Sequence, residues 1–187
     1  RRGWGWTLEA DGRFRFRVQL DRGEAGGGAG QGNDRYLLSS EPLPSGRWVH
    51  IATVFDRPGG RVRMYIDGEL EAETTIPDLP LRSTPDQRLH VAEYGGGASL
   101  PVYGLIDELR ISSRALSFAE PPQSPYTGQE PGTRALYHFD EMQEGFFTPN
   151  AAEQDGEPHM RLIGIEPLTP SMEGFGRALN TVPMPQR

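Results

Sequence analysis

The 187-residue sequence contains neither cysteine nor lysine. Without cysteine the chain cannot form disulfides, thiolate nucleophiles or zinc–thiolate sites. No run approaches the roughly 20 consecutive apolar residues that a membrane-spanning helix needs, so we expect no membrane insertion. No signal peptide opens the sequence, which starts at Arg1. We therefore expect the chain to be attached to further domains of a longer protein.

Positive charge is also scarce relative to negative charge. The chain carries 19 Lys+Arg residues against 26 Asp+Glu residues, and its formal net charge is -7. Proteins that bind nucleic acid need a basic surface, because binding releases counterions from the phosphate backbone. The charge balance therefore excludes nucleic acid as the expected partner.

Glycine and proline are abundant, with 24 and 17 copies. Both residues interrupt regular structure, so their frequency favours many short strands joined by turns over long helices. The length suits one domain or one and a half, which is enough to bury a core without covalent cross-links.

The clearest pattern lies in the middle of the first half of the chain. Two apolar-rich runs, Trp48–Phe55 and Val62–Ile66, flank a cluster of turn-forming residues and predict an antiparallel hairpin. A second break at Asp67-Gly68 predicts that Glu69–Thr75 returns as a third strand. This three-stranded meander is typical of a β-sandwich.

A second hairpin is predicted before it. Residues 3–9 and 13–20 flank the turn at Ala10-Asp11-Gly12, and apolar residues alternate with arginines from Arg13 onward. Alternation places one face in a core and the other outside it. The residues that we expect to be nearly fully buried are Phe16, Ile51, Phe55, Met64 and Ile66.

These residues resemble a known family. The order Gly46-Arg47-Trp48, His50-Ile51-Ala52, Phe55-Asp56 and Val62 to Gly68 is similar to the central hairpin of concanavalin A-like lectin/glucanase domains of the laminin-G-like type. Residues 104–111, GLIDELRI, followed by Arg114 to Ser117, look like the closing strand of that family. The resemblance implies an all-β fold, an antiparallel β-sandwich of the jelly-roll type.

The later part of the chain carries further landmarks of the same family, in an unusual order. Residues 135–141, ALYHFDE, resemble its opening strand, and residues 174–179, GFGRAL, resemble the landmark that follows it. We therefore predict the end of a laminin-G-like sandwich over residues 1–117, a Pro-rich linker over 118–133, and opening strands over 134–187. Either the chain is cut from a tandem array, or residues 134–187 complete the same sandwich, which is the arrangement that we favour.

The resemblance implies a module that is usually extracellular and attached to other domains. We expect a noncatalytic recognition module at the cell surface or outside the cell, with bacterial-type export, that binds a glycan or an extracellular protein. A glycoside hydrolase or lyase on the same sandwich is one alternative, and a structural spacer is another. Fold alone does not choose between them.

Four aromatic residues are candidates for ligand binding: Trp4, Trp6, Tyr65 and Tyr94. Trp4 and Trp6 are two positions apart, so they point the same way along a strand, where they could stack on sugar rings. Packing at the edge of a core is the commoner use of such residues.

Catalytic candidates are few. The run from Glu153 to Glu157 has the Glu-x-Asp-x-Glu spacing of retaining glucanases on this fold, in which paired carboxylates cleave the glycosidic bond. Here Gln154 and Gly156 intervene and Pro158 follows, which indicates a turn without the rigid scaffold that catalysis needs. We therefore predict no activity.

Acidic residues near the resembling strands suggest a metal. Asp107, Asp140 and Glu141 fall where the family has typical acids, and carboxylate oxygens at loop ends are the ligands that Ca²⁺ selects. We accordingly name calcium as a candidate cofactor, with solvated acids at strand ends as the alternative. The spacing of His50, His90, His138 and His159 forms no local ligand pair.

Overall fold

The computed structural model describes residues 3–21, 34–82, 91, 105–118, 121–140, 147–152 and 160–161. The chain divides into two compact units. The first comprises Arg1–Val102 and Ala115–Pro121, and the second comprises Tyr103–Arg114 and Pro122–Arg187. The described residues contain strands, turns and irregular segments but no helix.

The first unit begins with a three-stranded antiparallel sheet. Its strands are β1 (Trp4–Leu8), β2 (Arg13–Gln19) and β3 (Asp34–Pro42), in the order β1-β2-β3. The turn between β1 and β2 contains Gly12 with a φ of 83°, a left-handed conformation that glycine adopts without a steric penalty. The predicted first hairpin is therefore confirmed, with β1 as the edge strand of the described sheet.

A second three-stranded antiparallel sheet follows. It comprises β4 (Ile51–Asp56), β5 (Arg61–Ile66) and β6 (Glu69–Thr75), in the order β4-β5-β6. Ile66 pairs with Glu69 around Asp67 and Gly68, whose φ angles are 51° and 87°. Positive φ at both central residues is what the tight primed turn between twisted strands requires. This arrangement confirms the predicted meander.

The core of the first unit joins residues of both sheets. One cluster contains inward side chains of β2, β3 and β5 together with the residue after β2 and the residue after β6: Phe14, Phe16, Val18, Leu20, Leu37, Val62, Met64 and Ile76. Removing these apolar surfaces from water is the main driving force that holds two sheets together. The unit is therefore an antiparallel β-sandwich, as the sequence predicts.

The predicted core residues are only partly correct. Phe16 and Met64 have 4% and 0% of their surface exposed, whereas Ile51, Phe55 and Ile66 are half-buried. Ile51 and Phe55 still pack against the core cluster, but Ala52 and Val54, on the opposite face of β4, are more deeply buried. The second sheet thus buries side chains on both faces, and simple alternation does not anticipate this.

Short polar contacts tie the two sheets together at their edges. The side chain of Glu71 on β6 accepts hydrogen bonds from the backbone N–H of Ser40, at 2.5 Å, and from its hydroxyl, at 2.7 Å. Leu20, directly after β2, forms an isolated antiparallel bridge with Leu81, beyond β6. These contacts join segments that are distant in sequence.

The described residues of the second unit form two two-stranded antiparallel sheets. One pairs β7 (Leu109–Ser112) with β8 (Thr133–Tyr137), and the other pairs β9 (Phe147–Thr148) with β10 (Met160–Arg161). Strand β7 comes from the range that we predicted as the end of one sandwich, and β8 comes from the predicted opening strands. That residues 134–187 complete the sandwich of residues 1–117 stays a prediction.

Glu130 organises the turn that precedes β8. Its carboxylate accepts hydrogen bonds from the N–H of Thr127 at 2.7 Å, the hydroxyl of Thr127 at 3.0 Å and the N–H of Gly128 at 3.1 Å. Partial loss of water around the carboxyl would by itself raise its pKa. The hydrogen bonds outweigh that effect and lower the pKa of Glu130 to about 2.

Candidate functional site

Trp4 and Trp6 lie next to each other on the edge strand β1. Their ring centroids are 6.1 Å apart, and 40% of Trp4 and 39% of Trp6 is exposed. Trp6 also contacts Phe14 edge-on, with centroids 5.8 Å apart. Two indoles thus lie at the rim of the core of the first unit, each with part of its surface open to solvent.

A polar contact fixes the orientation of Trp6. Its indole Nε1 donates a hydrogen bond to the hydroxyl oxygen of Thr53 on β4, at 2.9 Å. The ring is therefore held from two sides, by Phe14 of the first sheet and by Thr53 of the second. A fixed aromatic ring loses little conformational entropy when a ligand stacks on it.

Tyr65 lies on a different surface from the tryptophans. Tyr65 on β5 pairs with Ala52 on β4. Thr53, which accepts the hydrogen bond from Trp6, is the next residue on β4 and pairs with Met64. Because side chains alternate between the faces of a sheet, Tyr65 points away from the face that carries Thr53. The structure therefore does not bring Tyr65 together with the tryptophan pair.

Tyr65 instead packs in an aromatic group. The ring of Phe118 lies 5.8 Å from Tyr65 and 5.8 Å from His50, measured between centroids. Burial lowers the pKa of His50, against a smaller raising effect of Asp67, and the imidazole Nδ1 is buried without a hydrogen-bond partner. A neutral, packed imidazole has the character of a structural side chain.

Two of the candidate metal ligands lie in the second unit, Asp107 before β7 and Asp140 after β8. Glu108 directly precedes β7 and binds the Nδ1 of His138 at 2.5 Å, while its other carboxylate oxygen accepts the N–H of Tyr126. Partial loss of water around its carboxyl raises the pKa of Asp107, and the charges of Glu108 and Asp140 raise it further. The charge of Asp140 thus acts on Asp107, and a metal-binding role for these two residues stays a prediction.

The described donors do not by themselves form a calcium cage. Ca²⁺ takes six to eight oxygen ligands, whereas Glu108 is already committed to His138 and Tyr126. Among the residues that the structure describes, no three acids or histidines are grouped so that they could hold a metal ion. Calcium stays a prediction that needs further oxygens, and Glu141 lies outside the described residues.

Other predicted positions also lie outside the described residues. These are Tyr94 among the aromatic candidates, the acidic run from Glu153 to Glu157, the landmark at 174–179, and the histidines His90 and His159.

The structure shows a further polar surface, which sequence reasoning missed. We call it the outer face: the solvent side of the first sheet, defined by Arg13, Arg15, Arg17, Tyr36 and Leu38. Arg15 pairs with Leu38 across β2 and β3, and Arg17 pairs with Tyr36. The alternating arginines are visible in the sequence, but their aromatic neighbour comes from a strand that follows a long glycine-rich segment.

Each arginine of the outer face is paired with a carboxylate. Nitrogen-to-oxygen distances are 2.8 Å for Arg13 to Asp11, 2.7 Å for Arg15 to Glu9, and 2.7 Å for Arg17 to Asp34. Three positive charges thus meet three negative charges. The face is strongly polar without being strongly charged.

A family comparison assigns the chain. The Laminin_G_3 family model, of the concanavalin A-like lectin/glucanases superfamily, matches residues 3–120. This range includes β1 to β6, the strands that the structure describes in the first unit. The chain belongs to the concanavalin A-like lectin/glucanases superfamily, as its resembling residues imply.

Two solved structures resemble the chain. A protein from Bacteroides ovatus that has been proposed to bind carbohydrate aligns with a TM-score of 0.55 and 20% identity, over 87% of this chain and 57% of that one. An S-layer domain-containing protein from Clostridium thermocellum aligns with a TM-score of 0.33 and 23% identity, over 62% and 53%. The chain thus spans little more than half the length of these two proteins.

A search of curated proteins found no match to the sequence. Within the described residues, no helix is both long and apolar enough to cross a membrane.

Proposed function

We propose that this chain is a noncatalytic module that binds carbohydrate, within an exported protein of the cell surface. The observation that carries the proposal is the pair of partly exposed indoles, Trp4 and Trp6, held at the rim of the sandwich. The likeness in fold to a protein proposed to bind carbohydrate supports the same conclusion.

The tryptophan pair suits a sugar ring. An indole offers a large flat apolar surface on which the C–H face of a sugar can stack, and it loses few rotamers on binding. Because about 40% of each of these two rings is exposed, the folded protein does not gain the free energy that burying the rest of their surface would give. Exposed apolar clusters of this kind mark binding sites on soluble proteins.

Affinity electrophoresis tests the proposal directly. The protein is run in native gels that contain a soluble polysaccharide, and retardation relative to a polysaccharide-free gel reports binding. We expect Trp4→Ala to weaken binding by about tenfold or more, since a central aromatic contact is worth about 2 kcal/mol. Trp4→Phe, which keeps a flat ring, should retain more of the affinity.

Leu70→Ala provides the matched control, because Leu70 is an exposed apolar residue on β6. Its removal should leave retardation unchanged. Equal retardation of the wild type and Trp4→Ala on every polysaccharide that binds would overturn the assignment of the site.

The noncatalytic part of the proposal has its own test. We expect no release of reducing ends from polysaccharides that the protein binds. Cleavage that disappears when Glu153 or Glu157 is replaced by Gln would show a glycosidase, with those acids in the roles that paired carboxylates take in such enzymes.

A further inference from the structure

The outer face carries an exposed aromatic ring that contacts two guanidinium groups. Tyr36 is 51% exposed, and the Cζ atoms of Arg15 and Arg17 lie 5.8 Å and 5.9 Å from its ring centroid. Its hydroxyl donates a hydrogen bond to Asp34 at 2.8 Å. This bond is the main cause that raises the pKa of Tyr36, so the ring stays a neutral phenol around neutral pH.

A cleft adjoins this ring. It is shallow and open to solvent, with a volume of about 330 Å³. The lining residues are Glu9, Ala10, Asp11, Arg13, Arg15 and Leu38. Arg15 contacts both Tyr36 and the cleft, so the ring and the cleft form one continuous surface.

The charges of this surface indicate which class of ligand it can bind. Arg13, Arg15 and Arg17 each hold a carboxylate partner, so an anionic ligand would have to displace that partner and then face its negative charge. A hydroxyl group can accept a hydrogen bond from a guanidinium while it donates one to the neighbouring carboxylate. An ion pair is therefore a suitable partner for an uncharged polyhydroxyl compound.

From the exposed ring, the adjoining cleft and the balanced ion pairs, we propose that the outer face is a second saccharide site, for an uncharged sugar chain. One sugar ring stacks on the part of the Tyr36 ring that Arg15 and Arg17 leave exposed. The next sugar ring occupies the cleft above Leu38, with hydroxyls hydrogen-bonded to the Arg13–Asp11 pair and to the guanidinium nitrogens of Arg15 that do not face Glu9. This proposal rests on the carbohydrate binding proposed above.

The second site is physically separate from the tryptophan pair. Trp4 and Trp6 pair with Val18 and Phe16 and so share their inward face, whereas Arg15 and Arg17 point outward from the same strand. The two surfaces lie on opposite sides of one sheet. Substitutions on either side can therefore be read independently.

The test uses affinity electrophoresis of the whole chain in gels that contain neutral polysaccharides (xyloglucan, galactomannan, laminarin) or the acidic polygalacturonate. We expect the wild type to be retarded by at least one neutral polysaccharide. Tyr36→Ala should weaken that retardation by threefold or more, and Tyr36→Phe, which keeps the ring, should retain most of it. Tyr36→Ala combined with Trp4→Ala should abolish it.

The outcomes separate this site from the tryptophan site. If Trp4→Ala weakens binding and Tyr36→Ala does not, the second site is wrong while the proposed function stands. If polygalacturonate alone retards the protein through Tyr36, the preference for an uncharged ligand is wrong. If no polysaccharide retards the wild type, both proposals fail. Unchanged thermal melting of Tyr36→Ala confirms that a loss of binding reflects the ring and not the fold.

Discussion

The indole Nε1 of Trp6 and the hydroxyl of Thr53 form a hydrogen bond of 2.9 Å that connects the edge of one sheet to the other. Trp6 belongs to β1 and Thr53 to β4, so two strands from different sheets meet at a partly exposed ring. This hydrogen bond therefore contributes both to the stability of the sandwich and to the orientation of Trp6 in the proposed binding surface.

Thr53→Val should loosen Trp6 without changing the volume of the side chain. We expect unfolding free energy to fall by about 0.5–1.5 kcal/mol, the usual net value of one hydrogen bond. Carbohydrate affinity should fall severalfold, because the ring loses its fixed orientation before binding. Denaturant unfolding followed by tryptophan fluorescence measures the first effect, and affinity electrophoresis measures the second.

Thr53→Ser is the matched control, because it keeps the hydroxyl. It should retain both more stability and more affinity than Thr53→Val. If the two variants behave alike in both measurements, the hydrogen bond does not orient the ring.

The lowered pKa of Glu130 predicts that its contribution to the stability of the folded state depends on pH. Its folded-state pKa of about 2 lies below the ordinary value of 4.5. A carboxyl whose pKa is depressed by folding stabilises the folded state above its unfolded pKa, and it loses that contribution as pH falls through the folded pKa. The stabilisation from Glu130 should thus be complete above about pH 5 and should decline toward about pH 2.

Denaturant titrations at pH 7, 4 and 3 measure this effect. Glu130→Gln removes the titrating group but keeps a side chain of the same length, so its stability should fall less on acidification than that of the wild type. Parallel curves for the two proteins would show that the turn at Thr127 does not depend on the charge of Glu130.

The predicted calcium site is tested by thermal melting. If Asp107 and Asp140 help to hold Ca²⁺, millimolar calcium should raise the melting temperature and a chelator should lower it, because a ligand specific to the folded state adds about 2.7 kcal/mol at one hundred times its dissociation constant. Asp107→Asn should reduce the shift, whereas Asp78→Asn, at an exposed acid of the first unit, should not. If neither calcium nor the chelator changes the melting temperature, the predicted calcium site is wrong.

Local sequence signals predicted the strands and turns of the sandwich well. The alternation of β2 between phenylalanines and arginines specifies a strand with one buried face, and Asp67-Gly68 specifies a tight turn. Both signals depend only on neighbouring residues, since strand periodicity and turn conformation are local properties. For this reason the predicted meander agrees with the observed one.

The candidate site depends on contacts that local signals do not contain. Tyr36 meets Arg15 and Arg17 only because β3 pairs with β2 in a particular register, after the glycine-rich segment that separates the two strands. Tyr65 likewise packs on Phe118, which is 53 positions further along the chain. Pairing over such distances follows from the register and the packing of the whole unit, so a single sequence did not identify the outer face.

The connectivity of the sandwich has a consequence for how the first unit folds. In both of its sheets the described strands are consecutive in sequence, β1-β2-β3 and β4-β5-β6. Hairpins of this kind close in about 1–10 μs, whereas pairings between distant segments, such as that of Leu20 with Leu81, require a long loop to close first. The two meanders should therefore form early and independently, and their docking through Phe16 and Met64 should limit the rate of folding.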